Sequence, residues 1–285
     1  MKIIKYTIEV NTKTPFKCCH TGDNHICLCD ERDDKRKKEL SERREKSFAE
    51  RGKKGTVETL EEMLGIVRNE NALLLHTGDL IDFVSQANLD YAKKCLDGIE
   101  TVMAAGNHEF SLYVGEAKED EAYKSRSLEA VKNAMPQGII FGTKDYNGVR
   151  FISLDNSYYY ILPKLFEKTK EALNCSLPCV LLVHTPLYSK ETYEKVMNGK
   201  PEDEPPYLCG CPDYLLKKIP EDRFIQQKTD ETTDAFIKLC NESKNLKAVL
   251  TGHIHEPCFS HLDSGTVQIA VNAGYFGEMN EYEFV

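Results

Sequence analysis

Short apolar runs recur along the chain, separated by stretches with helical spacing. Residues 16–20 (FKCCH), 72–76 (ALLLH), 99–105 (IETVMAA), 148–155 (GVRFISLD), 178–184 (PCVLLVH), 246–252 (LKAVLTG) and 266–274 (TVQIAVNAG) read as buried strands. The alternating start, MKIIKYTIEV, reads as one more. Residues 56–69 put Val57, Leu60, Met63, Leu64 and Val67 on one helical face. Further helices are expected at 85–98, 121–134, 163–174 and 230–243. Strand–helix alternation of this kind predicts an α/β fold, with sheet covered by helices.

Two segments break the pattern and read as insertions. Residues 30–54 are almost entirely charged, with Glu31–Lys35, Glu39–Arg43 and Glu42–Lys46 at the i,i+4 spacing of a solvated helix. Residues 190–230 include NGKPEDEPPYLCGCPDY, rich in Pro, Gly and acid, and read as a long loop of the kind that forms lids or binds substrate. No linker divides the chain, so residues 1–285 are expected to form a single domain. One short echo stands out: HTGD occurs at 20–23 and at 76–79, each time after an apolar strand. Asp23 and Asp79 are therefore expected just past carboxyl ends of strands, where open α/β sheets place their ligands.

Composition narrows the function. A net charge of −9 argues against a general nucleic-acid binder, which needs a basic footprint. It is compatible with a small anionic substrate held by a local positive charge such as a metal. No run approaches the roughly 18 apolar residues of a membrane span. The N-terminal stretch lacks a signal peptide's apolar core. Eleven cysteines, an odd number, with no export signal, predict reduced thiols in the cytoplasm.

Five polar signals follow five of the predicted strands. They are Asp23-Asn24-His25, GDLID (78–82), GNHE (106–109), His184 and GHIH (252–255). Asp23, His25, Asp79, Asn107, His184, His253 and His255 together offer three oxygen-bearing groups and four imidazoles. That set is too rich for one tetrahedral zinc. It suits two adjacent divalent ions sharing a carboxylate, the arrangement that clamps both oxygens of an in-line displacement at phosphorus. Mixed O and N donors favour Mn, Fe or Zn over Ca or Mg.

These blocks, in this order, resemble the calcineurin-like metallophosphoesterase superfamily, whose pattern is D-x-H, GDxxD, GNH(D/E), a lone H and GHxH. The resemblance spans residues 23–255. It implies a four-layer α/β/β/α sandwich of two mixed β-sheets flanked by helices, with a dinuclear site at the loop edge. It implies that Asp23, His25, Asp79 and His255 hold one ion, and that Asp79 as bridge, Asn107, His184 and His253 hold the other. His108 would face the scissile phosphate and assist the leaving group, and Asp82 would orient His108. A hydroxide between the metals would be the nucleophile, with no phospho-enzyme intermediate.

One departure bears on substrate. Family members that dephosphorylate protein serine and threonine extend the second block to GDxxDRG, whereas Phe83 follows Asp82 here. The expectation is hydrolysis of a phosphate mono- or diester on a small molecule or nucleotide, with the basic 30–54 segment offering substitute phosphate contacts. The alternative is a non-catalytic scaffold that retains the fold, which the complete ligand set and His108 disfavour. His20, His76 and His261 read as structural or incidental, with support of the aspartates three residues on as the less favoured reading for His20 and His76. Cys27/Cys29 and Cys209/Cys211 read as small apolar residues, with a four-thiolate zinc site as the less favoured reading. The aromatic runs SYYYILP (157–163) and GYFGE (274–278) are candidates for core or pocket lining.

Overall fold

The computed structural model describes residues 1–116 and 118–285. The strands are β1 (Lys2–Ile8), β2 (Phe16–Thr21), β3 (Leu73–His76), β4 (Thr101–Met103), β5 (Phe141–Tyr146), β6 (Val149–Leu154), β7 (Cys179–Leu182), β8 (Leu246–Thr251), β9 (Cys258–His261), β10 (Val267–Ala270) and β11 (Glu278–Phe284). They form two mixed sheets, ordered β1-β11-β2-β3-β4 and β5-β6-β7-β8-β10-β9. Strands β2, β3 and β4 run parallel, as do β6, β7, β8 and β10.

Strand periodicity explains the layering. Successive side chains of a strand point to opposite faces. In β3, Leu73 and Leu75 enter a core between the sheets, where they join Val180, Leu182, Ala248 and Leu250 of the second sheet. Leu74 points the other way, onto Leu60, Met63, Leu64 and Val67 of the helix α2; the neighbouring helices are α1 (Lys35–Gly52), α2 (Thr56–Glu70) and α3 (Gln86–Cys95). On the far side, Leu181 and Val249 meet Leu165, Leu173 and Phe236 of the helices Pro163–Leu173 and Glu231–Glu242. The result is the expected α/β/β/α sandwich.

Some expectations need correction. The single helix expected over 121–134 is two, Glu121–Lys124 and Leu128–Ala134. The Lys124 ammonium turns inward between them to reach Asp155 at 2.8 Å. Residues 190–230 are not one long loop, because they contain the helices Lys190–Val196 and Glu221–Gln227. Val196, Leu208, Cys211, Leu216 and Ile219 give that segment a small core of its own. The charged segment does form a helix, α1, but its spaced pairs are Lys35–Glu39 and Lys46–Glu50 rather than the three expected. Glu31 precedes the helix. Nor is α1 merely solvated: Leu40 and Phe48 are buried against Cys27, Phe83 and Tyr275. Each of the eleven cysteines is free, and among the described residues no metal-competent cluster contains one. Among the described residues no helix is long and apolar enough to cross a membrane.

Candidate metal centre

The HTGD echo has a structural cause. Both copies end adjacent parallel strands, β2 and β3, and their loops continue side by side. The Asp23 N–H donates to Gly78 O at 2.9 Å, the His25 N–H to Asp79 O at 3.0 Å, and Ile26 bridges to Ile81. Loops after β7 and β8 arrive from the second sheet and are joined by the Gly252 N–H donating to His184 O at 2.9 Å. The loop after β4 joins them through the His108 N–H, which donates to Asp79 Oδ1 at 2.8 Å, so five loops meet at one edge of the sandwich.

The approach is close enough to demand glycine. A Cβ on Gly106 would collide with the Asp79 carboxylate, and one on Gly252 with that of Asp23. The backbone is also held in the left-handed region at Asp23, His25, Asp79, His253 and His255, with φ of 52°, 51°, 54°, 70° and 54°. Side-chain-bearing residues adopt that conformation at a cost of about 1–2 kcal/mol each, so the surrounding fold imposes it.

Three metal-competent groups overlap here. Asp23, His25, Asp79 and His255 form the first, Asp79, His184 and His253 the second, and His25, Asp82 and His108 a third beside them. Asp79 Oδ2 lies 3.8 Å from His25 Nε2 and 3.4 Å from His184 Nε2. Asn107 Oδ1 is 3.2 Å from His184 Nε2 and so joins the second cluster. All seven residues singled out from sequence are therefore together.

The donor set fits cations. Each imidazole has one nitrogen occupied outward and one turned to the centre. His25 Nδ1 donates to Asp82 Oδ1 at 2.9 Å, and His184 Nδ1 to Thr77 O at 2.7 Å. His253 Nε2 meets the Tyr159 hydroxyl at 2.7 Å, and His255 Nδ1 the Tyr275 hydroxyl at 3.4 Å. The inward nitrogens converge in pairs, His25 Nε2 to His255 Nε2 and His184 Nε2 to His253 Nδ1, both at 3.0 Å. A ring nitrogen that carries no proton presents a lone pair, so each pair brings two candidate ligand atoms to one point. Asp23 Oδ1, fully buried, has no hydrogen-bond partner. Lone pairs converging on a buried, unpaired carboxylate oxygen match a site for divalent cations with O and N ligands.

Charges around the site follow from burial and proximity. Burial opposes ionisation of Asp79, yet the imidazoles of His184 and His108 hold its carboxyl well below the usual range. Burial pulls His108 down, but Asp79 and Asp82 outweigh it and raise its pKa to about 10. Burial pushes His25 down to about 4 and His253 to about 3. His25 and His253 are thus held neutral, as a ligand must be, whereas Asp79 and Asp23 outweigh burial at His184 and raise it to about 9 in the metal-free chain.

His108 stands beside the clusters. Its Nδ1 donates to Asp82 O at 2.8 Å and lies 3.1 Å from Asp82 Oδ1. His108 also lines two cavities that open onto the centre. One, of about 550 Å³, is walled by Tyr159, Tyr207, Glu119, Arg223 and Gln226. The other, of about 380 Å³, is walled by Tyr207, Lys200, Glu204 and Ile254.

Several residues of the site are not identifiable from sequence motifs. Arg44 of α1 reaches Asp82 with two nitrogens at 2.7 Å, so its guanidinium is committed to a carboxylate rather than left for a phosphate. The Glu109 carboxylate accepts the backbone N–H groups of Asp79, Leu80 and Gly106, each at 2.7 Å. Only the acidic fourth position of GNHE hinted at it. In SYYYILP, Tyr159 reaches the site while Tyr158 is buried in the core. In GYFGE, Tyr275 packs on Phe48 and His255 instead of lining a cavity. His20 and His76 are structural: His20 bonds Tyr282 and Thr77, and His76 bonds Asn24. His261 lies apart, against Glu191.

Residues 16–257 match the model of a family described as calcineurin-like phosphoesterase. Among solved structures, the chain is similar to a dimetal phosphatase from Danio rerio, at 10% identity and a TM-score of 0.48, over 91% of this chain and 88% of that one. It is similar to phosphopantetheinyl hydrolase from Mycobacterium tuberculosis, at 10% identity and a TM-score of 0.49, over 94% and 90% of the two chains. A 5'-nucleotidase from Candida albicans is matched at 12% identity and a TM-score of 0.45, over 96% of this chain but 48% of that one. No curated protein matches the chain.

Proposed function

The chain belongs to the calcineurin-like phosphoesterase family, and from that premise we propose that it hydrolyses a phosphate mono- or diester of a small molecule or nucleotide at a dinuclear metal centre. The observation that carries this reading is the sharing of Asp79 between two ligand clusters. Asp23, His25, Asp79 and His255 would hold one ion, and Asp79, Asn107, His184 and His253 the other; Mn, Fe or Zn suits these donors. When bound, the pair supplies Lewis-acid charge and a low-pKa water for in-line displacement at phosphorus.

The chain's own part is orientation and proton delivery. Asp82 occupies His108 Nδ1, which leaves Nε2 as the atom that faces the cavities. From there His108 stabilises the phosphoryl charge and passes its Nε2 proton to the leaving oxygen. Arg223 and Lys118 line the larger cavity beside Asp222 and Glu119, and Lys200 the smaller beside Glu204, and the size of both suits a small molecule. The acidic whole, net −9, speaks against a nucleic-acid polymer. Free thiols throughout support a reducing compartment, the cytoplasm.

The test is a metal-reconstituted activity screen with bis-p-nitrophenyl phosphate and p-nitrophenyl phosphate, followed by nucleotides. Turnover of either ester that needs added Mn²⁺, Fe²⁺ or Zn²⁺ is expected. No metal-dependent turnover of any ester would leave the scaffold reading in its place.

A further inference from the structure

Helix α1 touches the first cluster through Phe48 and reaches its supports, Asp82 and Tyr275, through two arginines. Arg44 grips Asp82 with Nε on one carboxylate oxygen and a terminal nitrogen on the other. Asp82 is fully buried and already carries His25 Nδ1 on that second oxygen. One helical turn on, Phe48 stacks on the His25 ring, with centroids 4.8 Å apart and planes within 16°. One more turn on, Arg51 donates to the Tyr275 hydroxyl at 3.1 Å, and that hydroxyl faces His255 Nδ1. The guanidinium groups of Arg44 and Arg51 both lie over the Phe48 ring, at 4.7 and 4.9 Å from its centre. Residues 44, 48 and 51 share one helical face at the spacing i, i+4, i+7. No comparable contact links α1 to His184 or His253 among the described residues.

We propose that Arg44 is a positioning residue that sets the metal affinity of the Asp23/His25/Asp79/His255 cluster, through Asp82 and His25, and leaves the Asp79/His184/His253 cluster unaffected. The proposal rests on the reading of these clusters as metal sites.

Arg44 and His25 are coupled through the carboxylate they share. Asp82 fixes the His25 tautomer, because Nδ1–H donates to it and Nε2 is left as the ligand atom. His25 and His108 both lie on Asp82 Oδ1, so Oδ2 of this buried carboxylate has only Arg44, and a planar fork is the group that satisfies both oxygens at once. Without the guanidinium, Asp82 is free to rotate. That rotation frees the His25 ring, and groups that orient a ligand in this way typically contribute ten- to hundredfold in metal affinity. A lysine would keep the charge but not the two-pronged geometry.

The test is Mn²⁺ titration of metal-free protein by calorimetry, with thermal melting of the same metal-free samples. Two backgrounds separate the clusters: His184→Ala leaves the first intact, and His255→Ala leaves the second. Adding Arg44→Ala to the first background is expected to weaken Mn²⁺ binding about ten- to hundredfold. In the second background the change is expected to stay within about threefold, and Arg44→Lys should recover only part of the loss. Equal weakening in both backgrounds overturns the proposal, since it marks a general loss of structure. Unchanged binding in the first also overturns it. Should Arg44→Ala fail to fold, Arg44→Lys is read by the same two criteria. No Mn²⁺ bound by the unsubstituted chain overturns the metal reading itself and this proposal with it, whereas two ions bound equally by that chain and by Arg44→Ala overturn this proposal alone.

Discussion

The Glu109 carboxylate accepts the backbone N–H of Asp79 at 2.7 Å, so one metal-site loop is anchored by a side chain from another. The same carboxylate takes the N–H groups of Leu80 and Gly106. Glu109→Gln keeps the size but turns one acceptor into a donor facing an N–H. A buried donor left without a partner costs about 1–3 kcal/mol. Denaturant unfolding of the variant should show a loss in that range, with reduced metal content. Wild-type stability would mean the loops are held by other contacts.

His108→Asn should separate chemistry from metal binding. The Nδ1 of His108 is occupied by Asp82, with which His108 and His25 form a third group beside the two clusters that share Asp79. Turnover should fall about 10²–10⁴-fold, the usual contribution of a positioned acid. Metal content by elemental analysis should stay at the wild-type level. Loss of metal and activity together would recast His108 as a ligand.

The cavity makes a prediction about binding. Arg223 lines the larger cavity, steadied by its contact with Gln226 at 2.8 Å. Arg223→Ala should raise KM for a phosphate ester about tenfold, the value of one charge-assisted contact, with kcat little changed. An unchanged KM would place the substrate in the smaller cavity beside Lys200.

Acid should weaken the fold in a calculable window. His20 is fully buried between Tyr282 and Thr77, and burial lowers its pKa to about 3 from 6.5. A depressed folded-state value means that the unfolded chain takes up the proton first. The contribution of His20 is whole above pH 6.5 and is lost as pH falls toward 3. In metal-free protein, His20→Gln should therefore lose less stability than the wild type between pH 6.5 and 5, by about 1.4 kcal/mol per pH unit at most. Parallel pH profiles would show that His20 is charged in the folded state.

Much of this architecture is readable from the chain because central strands are apolar. Strands β2, β3, β6, β7, β8 and β10 announce themselves as runs of buried residues. Strand β11 does not, although it lies between β1 and β2. Its EMNEYEF carries Glu281, whose charge is met by Lys5 at 3.2 Å and Lys17 at 3.0 Å on the neighbouring strands. A charge neutralised across strands hides the strand from any local pattern. Strands β5 and β9 each lie at a sheet edge, where polar residues are tolerated.

The site divides along the same line. Asp23, Asp79, Asn107, His184, His253 and their neighbours are legible because each closes a strand and begins a loop. Arg44 and Tyr159 lie outside any such motif. Each acts on a residue far away in sequence, Asp82 for the one and His253 for the other. Their partners are set by how α1 and the loop after β6 fold back, which local spacing does not encode.

The central claim is that Asp79 joins two metal positions. The most direct measurement is metal stoichiometry by elemental analysis on reconstituted wild-type protein and Asp79→Asn. The account predicts two ions per wild-type chain and fewer than one in the variant, with turnover down at least about a hundredfold. Two ions retained by Asp79→Asn at full activity would contradict it.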